Sequence, residues 1–141
     1  MSAFWDPSAI IHICVPGQAS SEAKHLMREH PAVIWWCAPV EVRSALARLL
    51  ATGSISPSAH LAAKNRLDEL LTAWREIQPS EAVRGLAFVQ LERYRLRAFD
   101  ALHLAAALVW CKQKPRGRLF ICNDTRLAGS ATEAGFTVLE A

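Results

Sequence analysis

Apolar residues along the chain fall into two rhythms. Short unbroken apolar runs alternate with longer stretches in which apolar positions recur every three or four residues. Val33-Ile34-Trp35-Trp36-Cys37 is the clearest run, bounded by Pro31 and Pro39. Continuous apolar character over that length marks a strand buried on both faces. Ala3-Phe4-Trp5, Leu119-Phe120-Ile121-Cys122 and Phe136-Thr137-Val138-Leu139 read as further strands, and Glu76-Ile77-Gln78 as a short one. Between them lie helical patterns. One runs from Ser8 to Cys14 and is broken by Val15-Pro16-Gly17. A second spans Gln18 to Glu29. A third starts at Pro39, carries Val42, Ala45, Leu46, Leu49 and Leu50 on one stripe, and ends at Gly53. Ser56-Pro57 opens a fourth, running to Trp74. Ser80 is placed as N-cap of a fifth that runs to Tyr94. The sixth, Ala98 to Lys112, is apolar on nearly every side and so belongs in a core. The last runs from Thr125 to Ala134, with Gly135 as its cap. Short apolar strands alternating with helices predict an α/β domain whose parallel sheet is covered on both faces.

The length of 141 residues suits a single domain over 1–141. A hydrophobic fraction of 52% supplies a core and argues against disorder. Net charge is +3, from 16 basic and 13 acidic side chains, which permits a polyanionic partner without demanding one. The four cysteines, at 14, 37, 111 and 122, show no CxxC pair or zinc-ligand rhythm and read as free thiols of a reducing compartment. The N-terminus lacks a basic signal-peptide region, and Asp6 interrupts its apolar run. No uncharged apolar stretch approaches the ~20 residues that span a bilayer. The expectation is a soluble, cytoplasmic protein without a membrane partner.

Four acids stand in unusual places. Asp6 follows the first strand and Asp124 the fourth. Glu41 and Asp100 lie in the first turns of their helices. In open parallel sheets chemistry sits beyond the carboxyl ends of the strands, and all four positions can face that edge. Singly, each has an ordinary reading: an acid in a first turn complements the helix dipole, and Asp124 suits an N-cap. Together they suggest convergence. Two carboxylates ~4 Å apart repel by about 4 kcal/mol at an effective dielectric of 20. A cluster of three or four therefore needs compensation. All-oxygen ligation selects Mg²⁺ or Mn²⁺, ions that also make a nearby water a better nucleophile. Such an ion would explain an aspartate at the start of a core helix.

At these residues the sequence resembles the PIN-domain nucleases, and within them the VapC-type toxins of bacterial toxin–antitoxin pairs. The resemblance covers essentially the whole chain. Its pieces come in order: Asp6-Pro7-Ser8; Val40-Glu41-Val42; Phe99-Asp100-Ala101-Leu102-His103-Leu104-Ala105, the most specific; and Phe120 to Asp124, followed by Arg126-Leu127-Ala128 and Ala134-Gly135. It implies a three-layer α/β/α PIN-like domain with a mostly parallel sheet of about five strands. It also implies Mg²⁺- or Mn²⁺-dependent cleavage of RNA phosphodiester bonds, with Asp6, Glu41, Asp100 and Asp124 in the acidic roles. Asp6 and Asp100 would contact metal directly and Asp124 directly or through water. Glu41 would hold metal or orient the nucleophile, and Ser8 would hydrogen-bond behind them. A homodimer and a cognate antitoxin, threading a peptide with an arginine into the acidic pocket, are implied as well. One departure is Cys122, where many relatives carry Thr or Ser. A thiol is a weak hydrogen-bond partner, and Asn123 beside it is a candidate to compensate.

Other residues carry weaker signals. Arg93, Arg95 and Arg97, at alternate positions ahead of Asp100, could contact phosphates, or simply end a helix with favourable charge. Arg116, Arg118 and Arg126 flank the last acid and read the same way. His103 shares a helix face with Asp100, and a packing role is favoured over metal ligation. Trp35 and Trp36 read as core, and so does Trp5, although it could stack on a base. An aspartyl phosphatase would need a second Asp where Ser8 stands, and no glycine-rich phosphate loop exists. Two alternatives to a toxin ribonuclease remain at this level. One is an RNA-processing or DNA-directed nuclease of the same fold. The other is a non-catalytic RNA- or protein-binding module.

Overall fold

The computed structural model describes residues 1–141. The elements follow one another as β1 (Ala3–Trp5), α1 (Pro7–Cys14), α2 (Ser21–Glu29), β2 (Ala32–Trp35), α3 (Ala38–Ala51), α4 (Pro57–Leu71), β3 (Arg75–Ile77), α5 (Glu81–Tyr94), α6 (Ala98–Trp110), β4 (Leu119–Ile121), α7 (Thr125–Ala134) and β5 (Thr137–Leu139). Five strands form one sheet in the order β3-β2-β1-β4-β5. Every pairing is parallel. The sheet expected to be mostly parallel is entirely so.

Alternation along the strands sorts the core into two layers. Phe4 points to one face, where it packs with Phe120 and with the buried sides of α5, α6 and α7. Ala3 and Trp5 point to the other, where α1 to α4 supply Ile10, Val42, Leu46, Ala63 and Leu67. The three-layer α/β/α architecture follows from that division. Helix α6 is buried along most of its length, from Ala101 through Leu108, as its all-round apolar pattern requires.

Several boundaries differ from the sequence pattern. Strand β2 stops at Trp35, and Trp36 turns outward, 48% exposed, instead of joining the core. The chain must leave the sheet there so that Ala38 and Pro39 can begin α3. Helix α2 starts three residues later than its periodicity suggests because Ser20 caps it, its hydroxyl accepting from the Ala23 N–H. Helix α4 ends at Leu71, before Trp74, and β3 lies one residue earlier than expected. Trp5 is fully buried, its indole N–H donating to the His30 carbonyl, so it is core and unavailable to a base. All four cysteines are free thiols. No helix is long and apolar enough to cross a membrane.

Topology fixes where a site can lie. The chain lays down β1, β2 and β3 in one direction, then crosses to β4 and β5 on the other side of β1. The strand order therefore reverses between β1 and β4. In a parallel sheet that reversal opens a crevice at the carboxyl ends.

Candidate metal centre

Asp6 and Asp124 stand on either side of that crevice. Asp6 ends β1, and its backbone N–H continues the ladder by donating to the Ile121 carbonyl at 2.9 Å. Each aspartate also caps the helix that follows. Asp6 Oδ2 accepts from the Ser8 N–H at 3.0 Å, and Asp124 Oδ1 accepts from the Leu127 N–H at 3.0 Å. Capping fixes one oxygen of each carboxylate and orients the other. The N-cap reading of Asp124 is thus correct as far as it goes. It is compatible with a site, because only one of its oxygens is engaged.

Asp100 comes in from the first turn of α6 and Glu41 from the first turn of α3. Asp100 feels the other three acids. Burial raises the Asp100 carboxyl above the ordinary aspartate range, and the charges of Asp124, Asp6 and Glu41 raise it further. Burial likewise raises Asp6, and Glu41 adds to the rise, while His103 and Ser8 oppose it. No arginine or lysine forms an ion pair with any of the four. Repulsion that no arginine or lysine offsets is what a bound cation would relieve.

The compensation that does exist comes from a residue whose role the sequence pattern misjudged. His103 lies one turn after Asp100 on α6 and is 1% exposed. Its Nε2 is 2.5 Å from Glu41 Oε2, and its Nδ1 is 3.9 Å from Asp6 Oδ1. Burial opposes a charge on the imidazole, but the Glu41 hydrogen bond and the charges of Asp6, Glu41 and Asp100 outweigh it and raise its pKa. His103 is therefore more than packing: it ties α6 to α3 and stands between two of the acids. The signal available in the sequence was its spacing of three from Asp100, which puts both on one face. What the sequence could not supply was Glu41, 62 residues away, on the other side of that face.

Ser8 binds the two strand ends together. Its Oγ accepts from the Asn123 N–H at 2.9 Å, while its own backbone N–H donates to the Asp6 carboxylate at 3.0 Å. Asn123 contributes that backbone N–H. Its side chain does not reach the acids, and instead pairs in both directions with the backbone of Ala141, at 2.9 Å each. Cys122 fills the space between. Burial, with Asp6 nearby, pushes its thiol up to about 12, so it stays protonated. Its sulfur is 3.9 Å from Asp6 Oδ2, a weak contact at most.

The arginines divide. Arg97 and Arg126 line a cleft of about 250 Å³ with Asp100 and Asp124. An adjoining pocket of about 380 Å³ takes Arg126 as a shared wall, with Arg93, Arg95 and Tyr94. Three alternate arginines and one from α7 thus line two neighbouring pockets that share Arg126, with Glu133 also in the wall of the outer one. Arg118 instead covers the Trp110 ring at 4.5 Å, a cation–π contact remote from this chemistry.

The donor set is hard oxygen, which suits Mg²⁺ or Mn²⁺ in kind. No three His, Cys, Asp or Glu side chains are drawn together tightly enough to chelate an ion. A closed protein cage is therefore excluded. An open site is not, since Mg²⁺ is usually held by one or two carboxylates and keeps several waters. Asp100 and Asp124, which share the cleft, and the second oxygen of Asp6 are the residues that could hold one. His103 Nδ1 has no hydrogen-bond partner although it is buried, a further sign that the polar site is not closed by protein atoms alone.

No family model matches the chain, and no curated protein matches it. Solved structures do match. A structure of FitAB bound to an IR36 DNA fragment aligns over 98% of this chain and 94% of its own, at 14% identity and a TM-score of 0.70. FitAcB from Neisseria gonorrhoeae aligns over 97% and 96%, at 15% identity and a TM-score of 0.64. A toxin–antitoxin complex from Klebsiella pneumoniae aligns over 88% of both chains, at 19% identity and a TM-score of 0.64. At such identities the likeness speaks for the fold, which is the PIN-like three-layer domain expected from the sequence.

Proposed function

We propose that this chain is a Mg²⁺- or Mn²⁺-dependent endoribonuclease and the toxin of a VapC-type toxin–antitoxin pair. One observation carries the reading. Carboxylates from four separate parts of the chain gather at the topological switch of a parallel sheet, where Asp100 feels the charges of the other three; no arginine or lysine is paired to any of them, and one histidine, His103, stands between Glu41 and Asp6. Two arginines stand in the same cleft. Carboxylates for a cation beside guanidinium groups for phosphate form the donor set of phosphodiester hydrolysis.

In this reading Asp100 and Asp124, which share the cleft, would hold the ion directly, and Asp6 would reach it through water. A bound ion would supply acidification of water and charge relief at the phosphate. Glu41, oriented by His103, accepts the proton of the attacking water. Arg97 and Arg126 bind non-bridging phosphate oxygens and set the strand in line, and Arg93 and Arg95 extend the contact to neighbouring phosphates. Water adds to phosphorus as the bond to the 3′-oxygen breaks, and the departing oxygen takes a proton from solvent. The products carry a 5′-phosphate and a 3′-hydroxyl.

A toxin–antitoxin complex among the solved structures of this fold supports a cognate antitoxin as partner. A homodimer and a cytoplasmic location belong to the same reading. The test is incubation of the purified protein with structured RNA and with DNA in Mg²⁺, Mn²⁺ or EDTA, repeated with Asp6→Asn and Asp100→Asn. RNA cutting that needs the ion and is abolished in both variants is expected. Cutting in EDTA, or full activity in both variants, refutes the assignment.

A further inference from the structure

The cleft between Asp100 and Asp124 has no apolar lining: Arg97, Asp100, Asp124 and Arg126 are its walls. The opposite flank of the same acids is built differently. A groove of about 360 Å³ runs there between α3 and the start of α6, lined by Val40, Glu41, Ser44, Arg48 and Phe99. Phe99 is 59% exposed and immediately precedes Asp100; Val40 is 67% exposed and immediately precedes Glu41. Large apolar side chains held in solvent at a site's edge are informative where isolated surface ones are not. Val40, Ser44 and Arg48 recur every fourth residue and share one face of α3. The Ser44 hydroxyl accepts from Arg48 Nη1 at 2.8 Å, which fixes the guanidinium along that face.

We propose that this groove is a nucleobase site, in which the base next to the scissile phosphate stacks on Phe99 and its edge meets Ser44 and Arg48. The inference rests on the nuclease reading and deepens it. A single strand would cross the acids from a backbone-reading side to a base-reading side. On the first, arginines hold phosphates regardless of sequence. On the second, an aromatic face accepts any base and the polar groups of α3 discriminate among them. Charge favours a nucleic acid over an apolar peptide as occupant. Arg48, which forms no ion pair, lines the groove opposite the apolar Val40 and Phe99, with Glu41 at its inner end, and the two pockets on the other side of the acids are lined by Arg93, Arg95, Arg97 and Arg126. Base preference at one position beside the cut would therefore come from α3 and Phe99, and affinity from the arginines.

The test compares the wild-type protein with Phe99→Ala and Phe99→Trp. Binding is read in EDTA, by fluorescence anisotropy and 2-aminopurine quenching, on single-stranded RNA carrying 2-aminopurine at successive positions. Cleavage is read separately in Mg²⁺ by sequencing the cut ends of a randomised RNA pool. Phe99→Ala is expected to weaken binding on the order of 10-fold. It should also abolish quenching at one position and flatten base preference beside the cut while slower cutting persists. Phe99→Trp should restore quenching. Wild-type binding and quenching retained in Phe99→Ala, with unchanged cut-site preference, would overturn the base site and leave the nuclease reading standing. Absence of RNA binding and cutting in the wild type would sink both. A change of oligomeric state in Phe99→Ala, by light scattering, with RNA binding intact would assign the groove to a second copy and overturn the proposal.

Discussion

Replacing His103 with phenylalanine isolates the contact that joins α6 to α3. The ring is 1% exposed, and Glu41 is 23% exposed on its side chain. A charge-assisted hydrogen bond contributes about 1.5–3 kcal/mol net. The imidazolium also lies 3.9 Å from Asp6, an attraction of about 4 kcal/mol at an effective dielectric of 20, most of it offset by desolvation of the two charges. Phenylalanine fills the volume, so little cavity cost is added. It leaves Asp6 and Glu41 facing each other without a cation. A loss of about 3 kcal/mol is expected, near the lower end for breaking a buried pair because Glu41 is partly solvated. The assay is urea unfolding followed by circular dichroism in EDTA at pH 6, with an unchanged m-value. His103→Gln, which keeps a neutral donor toward Glu41, should lose less. Adding Glu41→Gln to His103→Phe should recover much of the loss, giving a coupling of about 2 kcal/mol. Since the histidine pKa is raised in the folded state, its contribution is complete below pH 6.5 and fades as pH rises through the folded value. The gap between wild type and His103→Phe should therefore be widest at pH 6 and close on the alkaline side. A loss below about 0.5 kcal/mol, or a gap that widens with pH, would refute the account.

The remaining predictions concern the acids, the arginines and one turn. In EDTA the raised carboxyls of Asp6 and Asp100 bind protons more readily folded than unfolded. Their contribution is present below about pH 4 and lost as pH rises through the folded values, so Asp100→Asn should raise the melting temperature of the metal-free protein at pH 7. Mg²⁺ should raise the wild-type melting temperature more at pH 8 than at pH 5.5, because ligands must be deprotonated, and should do little for Asp100→Asn. Arg126→Ala should weaken RNA binding evenly across sequences and reduce the salt dependence by about one counterion; a change confined to particular sequences would refute its phosphate role. Gly135 has φ +118°, and a Cβ there would lie 2.9 Å from Pro115. Gly135→Ala should cost about 1–3 kcal/mol in chemical unfolding without altering the acids.

Hydrophobic rhythm was sufficient to read the architecture. Runs such as Val33 to Trp35 cannot be satisfied unless covered on both sides, and the all-round apolar α6 has one place to go. Once strands and helices alternate, handed crossovers leave few ways to arrange them. The switch point, and with it the edge where Asp6 and Asp124 stand, follows from that arrangement. Element ends were less legible. Trp36 carries the same apolar character as Trp35 yet faces solvent, because the exit of the chain from the sheet, rather than hydropathy, decides which tryptophan is last inside.

By itself, then, the chain determined its layers, the positions of its four acids at matching ends of elements, and the open thiols. Local chemistry is enough for those, since a strand end or a first helical turn is defined by its immediate neighbours. Only the tertiary structure decided what each side chain meets. It gave His103 to Glu41 across 62 residues, sent the Asn123 side chain to Ala141 and away from the acids, and put Arg118 over Trp110 while Arg126 stayed at the cleft. Pairing of that kind depends on distances between elements far apart in sequence, and these are set by how the two layers pack on the sheet.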